Sequence, residues 1–207
     1  MLTKLRTFAS LYRELGPRWM LFRLAYAFRL RTGLIRWQMP MGKWSDYKDH
    51  VGARFSRPTL SIPTELPPDL PWNPQTAIAE ADRLLGGEIK YFSRGFVETG
   101  FPPNWHKDPV TGVELDQTRH WSEYSDDINT DIKFIWEPNR FSFVYTLARA
   151  YAASHDEKYP EAFWTLIEDW AQKNPPNTGV NWMDGQEAAL RLIAWIFGYF
   201  AFRNSPS

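Results

Sequence analysis

A polar loop between two helical segments is the part of this sequence best suited to chemistry. Residues 170–182 read W-A-Q-K-N-P-P-N-T-G-V-N-W and carry three Asn side chains, Asn174, Asn177 and Asn181. Trp182 follows the last of them directly. Connections between packed helices usually have about 2–8 residues. A longer loop that is rich in Asn and bounded by Trp therefore predicts a binding or catalytic site.

Asn181 and Trp182 each have two possible roles. Asn181 can supply an amide donor to a ligand, or it can cap the helix that follows, because Asn is a favoured N-cap. Trp182 can form an apolar platform for a sugar ring, or it can be a core indole. Trp and Tyr both combine an apolar face with a hydrogen-bonding edge. The chain has 11 Trp and 16% aromatic residues, more than core packing alone usually needs.

Charged residues on the flanking helices are further candidates for the site. Glu137 and Arg140 lie three positions apart, and Glu187 and Arg191 lie four apart, so each pair can form an ion pair on one helix face. Arg140 can instead bind a sugar carboxylate or sulfate in bidentate fashion.

A long irregular region, residues 96–130, supplies two more candidates, Trp105 and His106, in the motif W-H-K-D-P. Such a loop can cover a cleft, although a histidine there is more often a hydrogen-bonded loop residue. His106 and His120 do not have a metal-ligand spacing, and neither a glycine-rich phosphate loop nor G-x-S-x-G is present. We therefore expect neither a metal nor a cofactor. With no Cys in the chain, disulfides and thiolate chemistry are excluded.

The elements that must position these residues are mainly helical. Apolar residues recur every three or four positions after Pro138, which we take as a first helical residue. A third helix is apolar on most faces, which is typical of a helix buried between neighbours. A short helix and a short strand precede them. The predicted spans are 74–85 and 88–92 for these two, and 141–153, 158–173 and 184–203 for the later helices.

Three regions follow from composition. Residues 1–37 predict basic helices, 3–15 and 18–32, broken at Gly16-Pro17. Residues 38–75 predict a Pro-rich tether or extended wrap, and residues 76–207 form the helical body.

The charge of the chain is uneven. Residues 1–36 hold eight Lys or Arg and one Glu, a net +7, and the whole chain is neutral, so the rest carries −7. That balance argues against nucleic acid as a partner of the body. The basic segment predicts either weak contact with a membrane surface or a helix with solvated arginines. The sequence contains no run of about 20 apolar residues, so it predicts no transmembrane helix. Its start lacks the apolar core of a secretory signal.

Over roughly residues 80–202 the chain resembles the N-terminal domain of the heparinase II/III family of polysaccharide lyases, which is related to alginate lyases. Motifs in order carry the resemblance: W-H-K-D-P (105–109), D-I-K-F-I-W-E-P-N-R (131–140), L-A-R-A-Y (147–151), D-E-K-Y (156–159), W-A-Q-K-N-P-P (170–176), G-V-N-W (179–182) and E-A-A-L-R (187–191). The fold that it implies is an incomplete α/α toroid of antiparallel helical hairpins with long aromatic-rich loops.

The resemblance also implies a chemistry. Such lyases cleave acidic, uronic-acid-containing polysaccharides by β-elimination, with an Asn that neutralises the uronate carboxylate and with Tyr and His as acid and base. Asn181 matches that Asn. Trp182, Arg140, Glu137, Glu187, Trp105 and His106 are expected to contact the substrate. The catalytic Tyr and His, further helices and a β-sandwich domain are expected beyond residue 207, so we expect this chain to be a fragment, or a severely shortened member, that is inactive alone. A periplasmic location is implied, although the missing signal leaves the cytoplasm open.

Two other functions stay open. One is a non-catalytic glycan-binding toroid that serves capsule or exopolysaccharide assembly. The other is an inverting glycoside hydrolase of α/α-barrel type, which needs two opposed carboxylates. Glu137, Asp184 and Glu187 are the residues available for that role.

Overall fold

A computed structural model describes residues 2–47, 72–124 and 128–206, and over these residues the protein is mainly α-helical, as predicted. The chain divides into two compact units, Met1–Pro40 and Met41–Ser207. The finer boundaries predicted at residues 37 and 75 stay predictions.

The first unit is a kinked helix followed by a short one. Helix α1 (Leu2–Arg31) is interrupted at Gly16, whose φ of 78° and ψ of 169° are not helical, so the predicted break at Gly16-Pro17 is confirmed. Helix α2 (Leu34–Gln38) begins after Gly33, which has a φ of 74°. Several large apolar side chains of this unit are exposed: Leu21, Phe22, Leu24, Phe28 and Trp37. Contact of residues 1–36 with a membrane surface stays a prediction.

Within the described residues, no helix combines the length and the apolar character needed to span a bilayer.

Most of the predicted Pro-rich tether, residues 48–71, lies outside the described residues. The part before it is attached to the helical body of the second unit. The Gly42 N–H donates to the Pro176 carbonyl oxygen at 3.2 Å, and Trp44 Nε1 donates to the Ala171 carbonyl oxygen at 2.8 Å. Gly42 and Trp44 are therefore fixed to the body, and the choice between tether and extended wrap for residues 38–75 stays a prediction.

The body begins with helix α3 (Pro74–Leu85), whose predicted bounds are confirmed. Asn73 caps its first turn by accepting from the Thr76 N–H at 3.0 Å. Pro74 suits the first helical position because its missing N–H would be unpaired there. A β-hairpin follows, with β1 (Glu88–Tyr91) antiparallel to β2 (Gly95–Glu98).

The next helix corrects a prediction. Helix α4 (Ile132–Asn139) begins six residues before Pro138, because Asp131 caps it by accepting from the Lys133 N–H at 3.1 Å. Pro138 lies in the last turn of this helix rather than at the start of the next. A φ of 57° at Phe141 then separates α4 from α5.

Three helices complete the body: α5 (Val144–Ser154), α6 (Lys158–Lys173) and α7 (Gly185–Phe202). Their predicted spans are confirmed to within three residues at each end. Phe163, Leu166 and Trp170 of α6 are fully buried with Val144 and Leu147 of α5 in the main core.

Helix α7 is less buried than predicted. Its exposed face carries large apolar side chains, with 55% of Leu192, 57% of Ile193 and 54% of Tyr199 accessible. The buried face combines the small Ala194 and Gly198, through which the helix can approach its neighbours closely, with Glu187, Arg191 and Phe202. The helix is therefore buried on one face only within the described chain.

Candidate functional site

The best-connected polar group is a cluster of buried Asn and Arg side chains around the loop that joins α6 to α7. A single 3₁₀ turn, Val180–Trp182, brings Asn181 into the interior, where it is fully buried. Its Nδ2 donates to the Trp105 carbonyl oxygen at 3.0 Å and to Asn174 Oδ1 at 2.9 Å. Both acceptors are carbonyl oxygens, which cannot donate. They therefore identify the atom that faces them as the amide nitrogen and fix the orientation of the Asn181 side chain.

Asn181 does not cap the helix that follows it. Asp184 has that role, because its Oδ1 accepts from the Gln186 N–H at 2.6 Å. The Oδ1 atom of Asn181 is buried and has no hydrogen-bond partner among the described residues. Native buried polar atoms are nearly always paired, so this oxygen is the unsatisfied point of the cluster.

Asn139 mirrors Asn181 from the end of α4. Its Nδ2 donates to the Trp105 carbonyl oxygen at 2.9 Å and to the Ile135 carbonyl oxygen at 2.7 Å. Trp170 Nε1 donates to Asn139 Oδ1 at 2.6 Å. The Trp105 carbonyl oxygen thus accepts hydrogen bonds from two Asn side chains. It joins the long loop to α4 through Asn139 and to the 3₁₀ turn through Asn181.

Arg191 closes the cluster from α7. It is 3% exposed and donates to two carbonyl oxygens, from Nη1 to Asn139 at 3.2 Å and from Nη2 to Asn181 at 2.9 Å. Its guanidinium carbon lies 4.2 Å from the ring centroid of Trp170, a cation–π contact. Burial lowers the pKa of Arg191 to about 10, so the guanidinium is still charged at neutral pH. The expected Glu187–Arg191 ion pair does not form, because Glu187 binds another arginine.

That arginine is Arg140. Its Nε and Nη2 donate to the two carboxylate oxygens of Glu187 at 2.6 and 2.7 Å, and its Nη1 donates to Glu137 at 2.6 Å. The predicted Glu137–Arg140 pair is therefore confirmed. The Glu187 carboxylate is the main cause of a raised pKa at Arg140. Because Glu187 occupies the bidentate fork, a sugar carboxylate would have to displace it to bind Arg140.

The hairpin turn touches this ion-pair group. The Phe92 N–H donates to Glu137 Oε1 at 3.0 Å, so both oxygens of Glu137 are used. Glu137 and Glu187 are each less than 10% exposed. Two carboxylates on one guanidinium leave a net charge of −1, which makes the group an unfavourable site for an anionic ligand.

Trp105 and His106 do not cover a cleft. Trp105 is fully buried, stacks on Phe141 with 5.2 Å between ring centroids, and donates from Nε1 to Asp169 Oδ2 at 2.6 Å. Burial lowers the pKa of His106, so its ring is neutral, and Nε2 donates to the Lys173 carbonyl oxygen at 3.2 Å. These two residues fasten the loop to α6, and a sugar would reach them only if the loop opened.

Trp182 is half-buried among other aromatic rings. Its ring centroid lies 5.8 Å from both Trp44 and Trp170. The indole N–H is buried without a hydrogen-bond partner in the described part of the chain. This packing favours the core-indole interpretation, although the residue is still partly exposed.

Sequence reasoning named Asn174 in the polar loop but missed Asn139 and Asp169 as parts of this arrangement. The partners of these two residues, Trp170 and Trp105, lie 31 and 64 positions away along the chain. Only the motif W-E-P-N-R pointed to Asn139, and nothing distinguished it from a surface residue. In the ranges that the structure describes, no group of three or more His, Asp or Glu side chains could hold a metal ion.

Comparison with known proteins identifies the family. A family model described as Heparinase II/III N-terminus matches residues 86–207, which is more than half of the chain. Searches among curated proteins and among solved structures give no match. The matched span contains the hairpin, the buried Asn–Arg cluster and helices α4 to α7. The chain therefore belongs to the heparinase II/III family, through the N-terminal domain of that family.

Proposed function

We propose that this chain is part of a polysaccharide lyase that cleaves a uronic-acid-containing polysaccharide, heparan-sulfate-like or alginate-like, by β-elimination. The observation that carries the proposal is the family match over residues 86–207. The assignment of Asn181 as the residue that neutralises the uronate carboxylate rests on its place in the G-V-N-W motif, because its side chain is fully buried in the structure.

The chemistry requires such a residue. A base removes the proton from the ring carbon that bears the carboxylate, and the electron pair left there is delocalised onto the carboxylate. A double bond then forms to the neighbouring carbon as the bond to the glycosidic oxygen breaks, and an acid protonates the leaving oxygen. Preorganised donors aimed at the developing negative charge lower the barrier. The resemblance assigns the roles of acid and base to a Tyr and a His, and no residue of this chain matches either of them.

In the structure, both amide hydrogens of Asn181 are already bound within the chain. To neutralise a carboxylate, Asn181 must exchange one acceptor, and Asn174 Oδ1 is the more easily replaced because it belongs to a side chain. The Trp105 carbonyl would then keep the amide aligned. Binding of substrate and a shift of the Asn174 side chain are therefore coupled in this proposal.

The geometry gives no support to a glycoside hydrolase. An inverting hydrolase needs an acid and a base about 6.5–9.5 Å apart across the glycosidic bond. Glu137 and Glu187 instead share one guanidinium, and Asp184 caps α7. A non-catalytic glycan-binding domain is the outcome if the complete protein binds the polymer without forming an unsaturated product.

The test compares Asn181→Ala with Asn139→Ala in the complete gene product. Both variants remove a buried amide that donates to the Trp105 carbonyl, so both should lose roughly 1–3 kcal/mol of unfolding free energy. Only Asn181→Ala should also lower turnover of a uronate polymer, by roughly 100- to 1,000-fold, the usual effect of losing one such donor. Turnover is followed by the ultraviolet absorbance of the unsaturated uronate. Equal turnover per folded molecule in the two variants would remove Asn181 from the mechanism.

A further inference from the structure

A second polar feature lies outside the Asn181 cluster, in a groove between α3, the β-hairpin and the start of α5. Its volume is about 330 Å³, at the lower end of the range for ligand pockets. Residues that line it include Glu80, Lys90, Phe96, Tyr145, Thr146 and Arg149. None of them is among the site residues predicted from the sequence.

The charges in the groove are balanced except at Arg149. Lys90 pairs with Glu80 at 2.6 Å, and Glu88 accepts two hydrogen bonds from Arg83 at 2.8 Å each. Arg149 donates a single hydrogen bond, from Nη2 to Thr146 Oγ1 at 3.2 Å, and has no ion-pair partner in the described ranges. Its Nε is buried without a hydrogen-bond partner there.

A half-buried guanidinium that lacks a carboxylate is an incomplete arrangement. Removing a charge from water is unfavourable unless the charge is paired and hydrogen-bonded. The planar fork of Arg matches a carboxylate with two parallel N–H donors. Arg149 is therefore the cation of the groove that lacks a carboxylate partner among the described residues, and an anion of carboxylate geometry would supply one.

The walls of the groove suit a sugar ring beside that anion. Tyr145 is 38% exposed, and Phe143 and Ile89 provide apolar surface at the base. An aromatic ring with a hydroxyl can pack against the apolar face of a pyranose and hydrogen-bond its edge. Ser93 and Ser142 add hydroxyl groups to the lining.

We propose that this groove is a binding subsite for a uronate residue, with Arg149 holding the carboxylate and Tyr145 lying against the sugar ring. The ligand class rests on the proposed function, whereas the unpaired arginine does not. The hairpin turn connects the groove to the Glu137–Arg140 pair, because Ser93 lines the groove while its neighbour Phe92 donates to Glu137. A polymer bound in the groove would therefore lie beside the hairpin turn, which contacts the Glu137–Arg140 pair of the candidate site.

The test measures labelling of Arg149 by phenylglyoxal in the complete gene product, followed by peptide mass spectrometry. A uronate trisaccharide should slow labelling of Arg149 at least fivefold. The exposed Arg94, which lies in the hairpin turn and does not line the groove, is the internal control and should be labelled at an unchanged rate. The same trisaccharide with its carboxylates reduced to alcohols should protect neither residue.

Titration calorimetry gives the second readout. Arg149→Gln should weaken binding of the trisaccharide at this subsite at least tenfold, and Arg94→Gln, which removes the same charge, should not. Unprotected Arg149, or equal protection by the reduced sugar, would overturn the proposal. Lyase activity is measured separately, so loss of protection in an active enzyme refutes the subsite alone. Protection in an inactive protein upholds the subsite and refutes the lyase function.

Discussion

Arg191 of helix α7 holds the backbone carbonyl of Asn181 at 2.9 Å, so a buried cation fixes the backbone of the residue proposed to act on the substrate. The same side chain reaches the Asn139 carbonyl at 3.2 Å and therefore links the polar loop to α4. The loop is long, but this contact and the Trp105 carbonyl make it part of the core.

Replacement of Arg191 should be strongly destabilising. Arg191→Met keeps most of the apolar stem but removes the donors to two buried carbonyl groups and the cation–π contact with Trp170. Because hydrogen bonds to charged groups contribute about 1.5–3 kcal/mol each, we expect a loss of roughly 3 kcal/mol or more in the free energy of unfolding. Urea denaturation measures it. Arg94→Met, at an exposed position, should stay within about 0.5 kcal/mol, and equal stability of the two variants would contradict the role of Arg191.

Gly198 offers a test of how closely α7 packs. A Cβ atom there would lie 2.3 Å from Phe163 and 2.9 Å from Val144. Gly→Ala inside a helix is otherwise stabilising by about 1 kcal/mol, whereas overpacking costs about 1–3 kcal/mol. Gly198→Ala should therefore destabilise in thermal unfolding. Gly185→Ala is the control, because a Cβ there meets nothing within 4 Å; stabilisation by Gly198→Ala would show that α7 is not packed in this way.

The fold was largely predictable because its helices carry local signals. Apolar spacing, the caps and the Gly-Gly pair at residues 86 and 87 give α3, α6 and α7 to within one residue and the start of α5 to within three. The hairpin strand β2 was missed, because its turn uses Phe92 and Ser93 with φ of 50° and 58° in place of the usual Asn-Gly. Helix α4 was missed, because Pro138 favours a helix start, whereas it lies in the last turn of a helix that Asp131 caps.

The site was less predictable, because its contacts join distant parts of the chain. The Glu187–Arg140 pair spans 47 positions, and no periodicity favours it over the neighbouring Arg191. The burial of Trp105 was equally hidden, since a Trp in a loop reads the same whether it faces solvent or the core.

His106 should make stability depend on pH. Burial, the main cause, lowers its pKa in the folded state, while the unfolded side chain titrates near 6.5. Below that value the unfolded chain binds a proton that the folded chain resists, so stability is highest above about pH 7 and falls as the pH drops through 6. The slope from one group is at most about 1.4 kcal/mol per pH unit.

His106→Gln, which keeps a donor for the Lys173 carbonyl, should flatten this dependence in urea denaturation between pH 5 and 7.5. The control is His155→Asn, because His155 is exposed and Asn tolerates its φ of 54°. An unchanged slope in His106→Gln would show that the histidine is accessible to protons in the folded state.

The exposed apolar face of α7 should make the 207-residue chain prone to association when it is produced alone. Leu192, Ile193 and Ile196 are 55%, 57% and 44% exposed on this helix, and contiguous apolar surface marks an interaction or aggregation site. We expect binding of a hydrophobic dye and oligomers in size-exclusion chromatography. Ile193→Lys with Ile196→Glu should reduce both while leaving the circular dichroism spectrum helical. A monodisperse wild-type chain that binds no dye would contradict this expectation.

Product analysis of the complete gene product, incubated with alginate and with glycosaminoglycans in H₂¹⁸O, tests the central claim most directly. β-Elimination breaks the glycosidic bond without adding water, so each cleavage should yield one ultraviolet-absorbing unsaturated uronate and no ¹⁸O at the new chain ends, provided that borohydride reduces the new hemiacetal before its oxygen exchanges with water. Hydrolysis would place ¹⁸O at the new reducing end without the absorbance. We predict unsaturated, unlabelled products from at least one uronate polymer; ¹⁸O-labelled saturated products, or tight binding of such a polymer with no cleavage, would contradict the assignment as a lyase.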